Sequence, residues 1–108
     1  MKIYLDIMEH FGYRNQMKKL NEEVFEFLEA VDSYEDELAF HLIGDKVGEN
    51  LLRESVVEEM GDVLILLTEF IAKYEIGKEE LDEVMDYKLD RTINRINSGY
   101  YDREDITE

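Results

Sequence analysis

With 108 residues the chain is long enough for one domain, which at this size buries roughly two-thirds of the surface its unfolded chain exposes. It carries 28 acidic against 12 basic residues, a formal net charge of −16, so polyanionic nucleic acid and anionic membrane surfaces are disfavoured as partners. Without Cys there is no disulfide framework, zinc–thiolate site or cysteine nucleophile, and no Pro interrupts the chain.

Much Glu, Leu and Lys with few Gly predicts an all-α fold, a bundle of four main helices. The opening Met1-Lys2-Ile3-Tyr4-Leu5-Asp6 is broken at Asp6 and does not read as a secretory leader. A first short helix is expected over Ile3 to His10, closed by Gly12. Asn15 is the expected N-cap of a second helix reaching Val31, with Met17, Leu20, Val24, Phe27, Leu28 and Val31 as its apolar stripe. Ser33 followed by Asp36 suggests a new cap and a short helix from Tyr34 to Ile43. A break is expected over Gly44 to Gly48, then a third helix from Leu51 to Tyr74 ending before Gly77. A fourth runs from Glu79 to Ile96 and stops at Asn97-Ser98-Gly99. These make a single helical domain over 1–108, with a bundle core at 14–96 and a loose acidic tail at 97–108. The longest purely apolar run, Val63 to Leu67, is too short to span a bilayer, and a cytoplasmic protein is expected.

From Val63 to Ala72 the third helix is apolar almost all round, interrupted only by Thr68 and Glu69, which predicts a central position. The second and third helices should pack antiparallel, with apolar faces too wide for one protomer to cover. A homodimer or homotetramer is the expected assembly.

Two acidic stretches, Glu22-Glu23-Val24-Phe25-Glu26 and Glu58-Glu59-Met60-Gly61-Asp62, repeat one pattern 36 positions apart. Residues i and i+3 share a helix face, so Glu23 with Glu26, and Glu59 with Asp62, each project two carboxylates the same way. On antiparallel helices the four would meet, and they repel strongly unless a cation or protons neutralise them. A divalent metal site is therefore the leading reading. Acid-x-x-acid spacing is weak evidence by itself, since chance alone gives about seven such pairs in so acidic a chain. Two features add weight: the doubled Glu in both copies, and their place at the edges of the two most apolar helices. Glu79, Glu80, Asp82 and Glu83 show similar spacing and read as a solvated helix start.

On the fourth helix Lys88, Thr92 and Arg95 continue the line begun by Leu81, Val84 and Met85, with Arg91 beside them. Scarce basic residues on that line suit an anionic ligand; salt bridges to acidic neighbours are the ordinary alternative. His10 and His41 are isolated and read as a helix-end and a surface histidine. No Gly-x-x-x-x-Gly-Lys-Ser/Thr loop occurs, which excludes a P-loop enzyme, and no Glu-x-x-His occurs, which argues against a di-iron bundle. Phe25 lies opposite the expected core stripe, where it would stack on a base or pack against another subunit. The competing reading of the whole chain is a non-catalytic helical interaction or oligomerisation module with solvated acidic faces.

The segments Lys19-Leu20-Asn21-Glu22-Glu23-Val24-Phe25-Glu26-Phe27-Leu28 and Val57-Glu58-Glu59-Met60-Gly61-Asp62-Val63-Leu64 resemble the MazG-like all-α nucleoside triphosphate pyrophosphohydrolases. That family's signature is Glu-Glu-x-x-Glu, a spacer, Glu-x-x-Asp, and a downstream basic helix, and the likeness covers residues 14–101. It implies a Mg²⁺-dependent enzyme, with Mn²⁺ able to substitute, that cleaves (d)NTP to (d)NMP and pyrophosphate in nucleotide-pool house-cleaning. By position Glu23, Glu26, Glu59 and Asp62 would be the metal ligands, and Lys19, Lys88, Arg91 and Arg95 the substrate-binding cations. Glu22 or Glu58 would serve as base or as an acceptor behind the ligands; the sequence does not decide between them. The spacer is longer than usual, and Thr92 stands where many members have Asn.

Overall fold

The computed structural model describes residues 1–40 and 46–102. Among them are four α-helices and no strand: α1 (Lys2–Phe11), α2 (Tyr13–Phe40), α3 (Lys46–Lys73) and α4 (Lys78–Asn97), followed by a short 3-10 turn at Tyr100–Asp102. The all-α expectation holds. The chain divides into two compact units, Met1–Glu75 and Ile76–Glu108. No helix of the described residues is long and apolar enough to cross a membrane.

Gly12 ends α1 as expected. Its φ of 82° is open to glycine and costly for any residue with a Cβ, and its N–H donates to the Met8 carbonyl at 2.8 Å. The next helix starts at once, because the Gly12 carbonyl accepts from the Gln16 N–H at 3.1 Å. Asn15 is therefore not the cap of α2. It lies in the first turn, and its Nδ2 donates back to the Phe11 carbonyl at 2.7 Å, occupying an acceptor that the end of α1 leaves open.

The expected break at Ser33 is also corrected. The helix runs unbroken from Tyr13 to Phe40, absorbing the first part of the proposed Tyr34–Ile43 helix. Neither Pro nor Gly occurs between these bounds, so nothing opposes propagation once the helix is packed. The Gly44 to Gly48 break falls partly on residues 41–45, outside the described residues, as does His41. Gly48 itself lies in the first turn of α3. At the other end Gly99, with φ 74°, stops α4 where the sequence placed the stop. In the tail, Tyr100–Asp102 form the 3-10 turn and residues 103–108 lie outside the description.

In the first unit α2 and α3 are the principal packed pair, and α1 lies on both. They run antiparallel, since Gln16 at the start of α2 meets Glu69 near the end of α3, while Ser33 late in α2 shares a cavity with Leu52 early in α3. The covered stripe of α2 is Gln16, Leu20, Glu23, Phe27, Ala30, Tyr34 and Glu37, at alternating spacings of 4 and 3. On α3 it is Leu52, Val56, Glu59, Val63, Leu66 and Phe70, with the same alternation. That is the pattern of two helices meeting along a seam.

The seam is rotated from the expected one. Met17, Val24 and Leu28, assigned to the core stripe from the sequence, are exposed, whereas Gln16 and Glu23 are buried. The α3 segment Val63 to Ala72 is covered on one side only: Leu66 is buried, but Leu64 is 54% exposed and Ile65 and Leu67 are also open. Only Met8 and Leu66 are fully buried apolar residues among those described.

Candidate metal centre

Three seam positions that packing would normally give to Leu or Val are glutamates, Glu23 and Glu37 on α2 and Glu59 on α3, and of these Glu23 and Glu59 come together. Burying ionised carboxylates is costly unless they are paired or hold a metal. Glu23 is only 6% exposed, and Glu59 is half-buried. Glu26 follows Glu23 by three residues and reaches the same point from an exposed position. One carboxylate oxygen from each of Glu23, Glu26 and Glu59 lies within 4.8 Å of the other two. The sequence spacing thus brings together three of the four expected ligands. Asp62 is exposed and outside this triad, but with Glu23 it borders an adjoining cavity of about 330 Å³.

The electrostatics are uneven across the triad. Lys19, one turn before Glu23, places Nζ 3.0 Å from Glu23 Oε1. Its hydrogen bond holds the Glu23 carboxyl below its ordinary pKa despite burial, and the Lys19 ammonium is raised in return. Among the described residues Glu59 has no such cation. Burial first, then the charges of Glu26, Glu23 and Asp62, push its carboxyl above the ordinary value. Glu23 Oε2 and Glu59 Oε2 are both buried with no hydrogen-bond partner. Two orphaned anionic oxygens beside a third carboxylate fit a hard divalent cation, which takes oxygen ligands and neutralises their mutual repulsion.

The other expected residues fall in several places. Glu22 and Glu58 are exposed on the two helices that carry the triad. Glu22 lines a cavity with Phe11, Asn15 and Lys19, and its charge helps raise the Lys19 ammonium. Lys88, Arg91 and Arg95 belong to the second unit. There Arg91 and Arg95 line a cavity with Tyr87, Asn94 and Ser98, and their guanidinium groups lie over Tyr87 and Tyr100 at 5.8 and 4.7 Å. Lys88 is exposed; Thr92 Oγ1 donates to the Lys88 carbonyl at 2.9 Å, so that hydroxyl is engaged with its own helix. Phe25 is exposed, as its position opposite the core required.

Two polar residues that the sequence did not single out as site residues also line the 330 Å³ cavity. Gln16 and Glu69 are buried, Glu69 to 1% exposure, and Gln16 Nε2 donates to Glu69 Oε1 at 2.8 Å. Each is seven residues from an expected ligand, Gln16 from Glu23 and Glu69 from Asp62. The available signal was one acid inside the apolar run Val63 to Ala72.

A family model described as the MazG nucleotide pyrophosphohydrolase domain matches residues 11–99, a span crossing both compact units. No curated protein and no solved structure matches the chain significantly.

Proposed function

This chain belongs to the MazG nucleotide pyrophosphohydrolase family, and on that premise we propose that it is a Mg²⁺-dependent nucleoside triphosphate pyrophosphohydrolase, converting (d)NTP to (d)NMP and pyrophosphate. The observation that carries this reading is the convergence of Glu23, Glu26 and Glu59 within 4.8 Å, two of them with buried, unpartnered oxygens. A solvated acidic face of an interaction module would not bury carboxylates in a helix seam. Clearing surplus or noncanonical nucleotides is the corresponding role, in the cytoplasm where such pools lie.

Glu23, Glu26 and Glu59 would hold the ion, with Asp62 joining from the cavity side. When bound, Mg²⁺ supplies positive charge to the phosphoryl oxygens and makes a neighbouring water more acidic; Mn²⁺ can substitute, since both accept oxygen ligands. Water attacks the α-phosphorus in line with the bridging oxygen, the bond to that oxygen breaks, and pyrophosphate leaves. Glu22 or Glu58 takes the proton of the attacking water. Lys19 presents its ammonium to phosphate oxygens from the edge of the triad, and Lys88, Arg91 and Arg95 are assigned to the phosphate tail. No covalent nucleophile is required.

Pyrophosphate release from a nucleotide panel with and without Mg²⁺ tests the reading; no divalent-dependent release from any nucleotide refutes it. Lys88→Ala or Arg95→Ala is expected to raise the KM for triphosphate about tenfold, the value of a lost charge-assisted phosphate contact, while leaving Mg²⁺ binding unchanged by calorimetry. Glu79→Ala, at the exposed start of α4, should leave both within twofold, roughly the scatter of a neutral surface substitution.

We also assign the uncovered apolar residues Met17, Val24, Leu28, Leu64 and Leu67 to contact with further copies of the chain, as a homodimer or homotetramer. Light scattering should return a multiple of 12.9 kDa; a monomer at micromolar concentration would count against this assembly.

A further inference from the structure

Two cavities flank the carboxylate triad along the α2–α3 seam, and their walls differ in chemistry. One, of about 280 Å³, is bounded by Glu26, Glu29 and Glu59 with Leu52 and the small residues Ala30, Ser33 and Ser55. The other, of about 330 Å³, has Glu23, Asp62 and Lys19 on the side of the triad, Ile65 and Leu66 as apolar wall, and the buried Gln16–Glu69 pair beyond them. A planar heterocycle needs an apolar wall beside placed polar groups; Ile65 and Leu66 give the second cavity such a wall, whereas the first sets Leu52 and Ala30 among three carboxylates and two hydroxyls.

Glu69 is the informative member. It is 1% exposed, yet the donor seen for it among the described residues is the neutral amide of Gln16. A carboxylate is acceptor-only and can take about four hydrogen bonds, of which Gln16 supplies one, and Glu69 borders the cavity. It is not a member of the triad: it lies seven residues beyond Asp62 and ten beyond Glu59, about 10.5 and 15 Å along the helix axis. A nucleoside separates its 5′-phosphate from its base edge by a length of that order.

Resting on the pyrophosphohydrolase reading, we propose that this cavity receives the nucleobase and that Glu69, oriented by Gln16, accepts a hydrogen bond from an exocyclic amino group on it. The substrate class is then 6-aminopurine and 4-aminopyrimidine nucleotides in preference to their oxo counterparts. An amino group supplies the missing donor. A carbonyl in the same place sets acceptor against acceptor, so discrimination has an attractive and a repulsive part.

The test compares pairs that exchange an amino group for a carbonyl, dCTP with dUTP and dATP with dITP, in wild type and in Glu69→Gln. Wild type is expected to favour the amino member of each pair by at least about tenfold in kcat/KM, the scale of one charge-assisted hydrogen bond. A carboxamide can both donate and accept, so Glu69→Gln should bring each ratio to within about threefold of one. Should Glu69→Gln fail to fold, Gln16→Leu leaves the carboxylate but removes its orienting donor, and the same ratios should narrow. Equal rates on amino and oxo nucleotides in wild type overturn the proposal. So does a variant that slows all four alike with ratios unchanged, since that marks a pair that only ties α2 to α3. Binding of the non-hydrolysable α,β-imido forms of dCTP and dUTP separates the two levels of inference. Amino-over-oxo binding with no turnover sinks the pyrophosphohydrolase reading and upholds base recognition; turnover with no such ranking does the reverse.

Discussion

Replacing Glu59 with Gln is expected to remove divalent-dependent turnover, by about a hundredfold or more, and at the same time to raise the melting temperature of the metal-free protein. The two effects have opposite signs because they report on opposite states of one cluster. With a cation present, Glu59 is one of three oxygens that hold it. Without one, Glu59 Oε2 is buried with no hydrogen-bond partner among the described residues, and an oxygen of this carboxylate lies within 4.8 Å of oxygens of Glu23 and Glu26. Glutamine keeps the shape and removes the charge.

The pH dependence carries the same sign. Burial and the neighbouring carboxylates raise the folded-state pKa of Glu59, so the folded protein binds this proton more tightly than the unfolded chain does. Its stabilising contribution is present below the unfolded pKa and lost as pH rises through the folded one. At neutral pH the ionised group therefore opposes folding. The gain from Glu59→Gln should accordingly be largest near pH 7 and shrink towards acidic pH, and added Mg²⁺ should stabilise wild type more than the variant. Thermal melts with chelator and with Mg²⁺, run at several pH values beside pyrophosphate release, check all of this. A variant that melts lower without metal and still turns over would make Glu59 a structural residue and empty the metal-site reading.

Much of the scaffold was legible because its punctuation is chemically unambiguous. Gly12 and Gly99 sit at positive φ, where a side chain is strained, and both helix ends fell where the sequence put them. Ser33 misled because a capping residue only offers an alternative hydrogen bond. With no Gly or Pro nearby, the packed helix continued through it. The rotation of the α2 seam has a more instructive cause. This helix carries two apolar lines, one through Leu20, Phe27 and Val31 and another through Met17, Val24 and Leu28. Hydrophobicity favours a stripe that includes both and sets the glutamates at its margin. The fold instead centres the seam on Gln16 and Glu23, which carries a carboxylate inward beside Glu59 and leaves the second apolar line on the surface. The spacing rule found Glu23, Glu26 and Glu59 yet could not tell that Asp62 stands outside the tight triad. It also gave no reason to select Glu69, whose partner Gln16 is 53 residues away and invisible to any local pattern.

Lys19→Met should move two affinities in opposite directions. Lys19 is the cation paired with Glu23, its Nζ 3.0 Å from Glu23 Oε1, and it holds that carboxyl below its ordinary pKa. A divalent ion held by Glu23 would share that carboxylate with it, and like charges a few ångströms apart repel. Methionine keeps most of the length of the side chain and removes the ammonium. The variant is then expected to bind Mg²⁺ alone about fivefold more tightly, a modest factor because the Lys19 side chain is half-exposed and solvent screens its charge. The triphosphate brings its own negative charge and loses an ammonium that would meet it, so its KM should rise about tenfold. Calorimetry with Mg²⁺ in the absence of nucleotide, together with steady-state kinetics at saturating Mg²⁺, separates the two. If both affinities fall together, Lys19 acts by holding Glu23 in place, and the phosphate must find its positive charge elsewhere. If Mg²⁺ binds more tightly while KM is unchanged, the ammonium neutralises the empty site and takes no part in holding substrate. Only the split result places Lys19 between the carboxylates and the phosphates, where a small shift of one ammonium from Glu23 to substrate would couple metal entry to nucleotide binding.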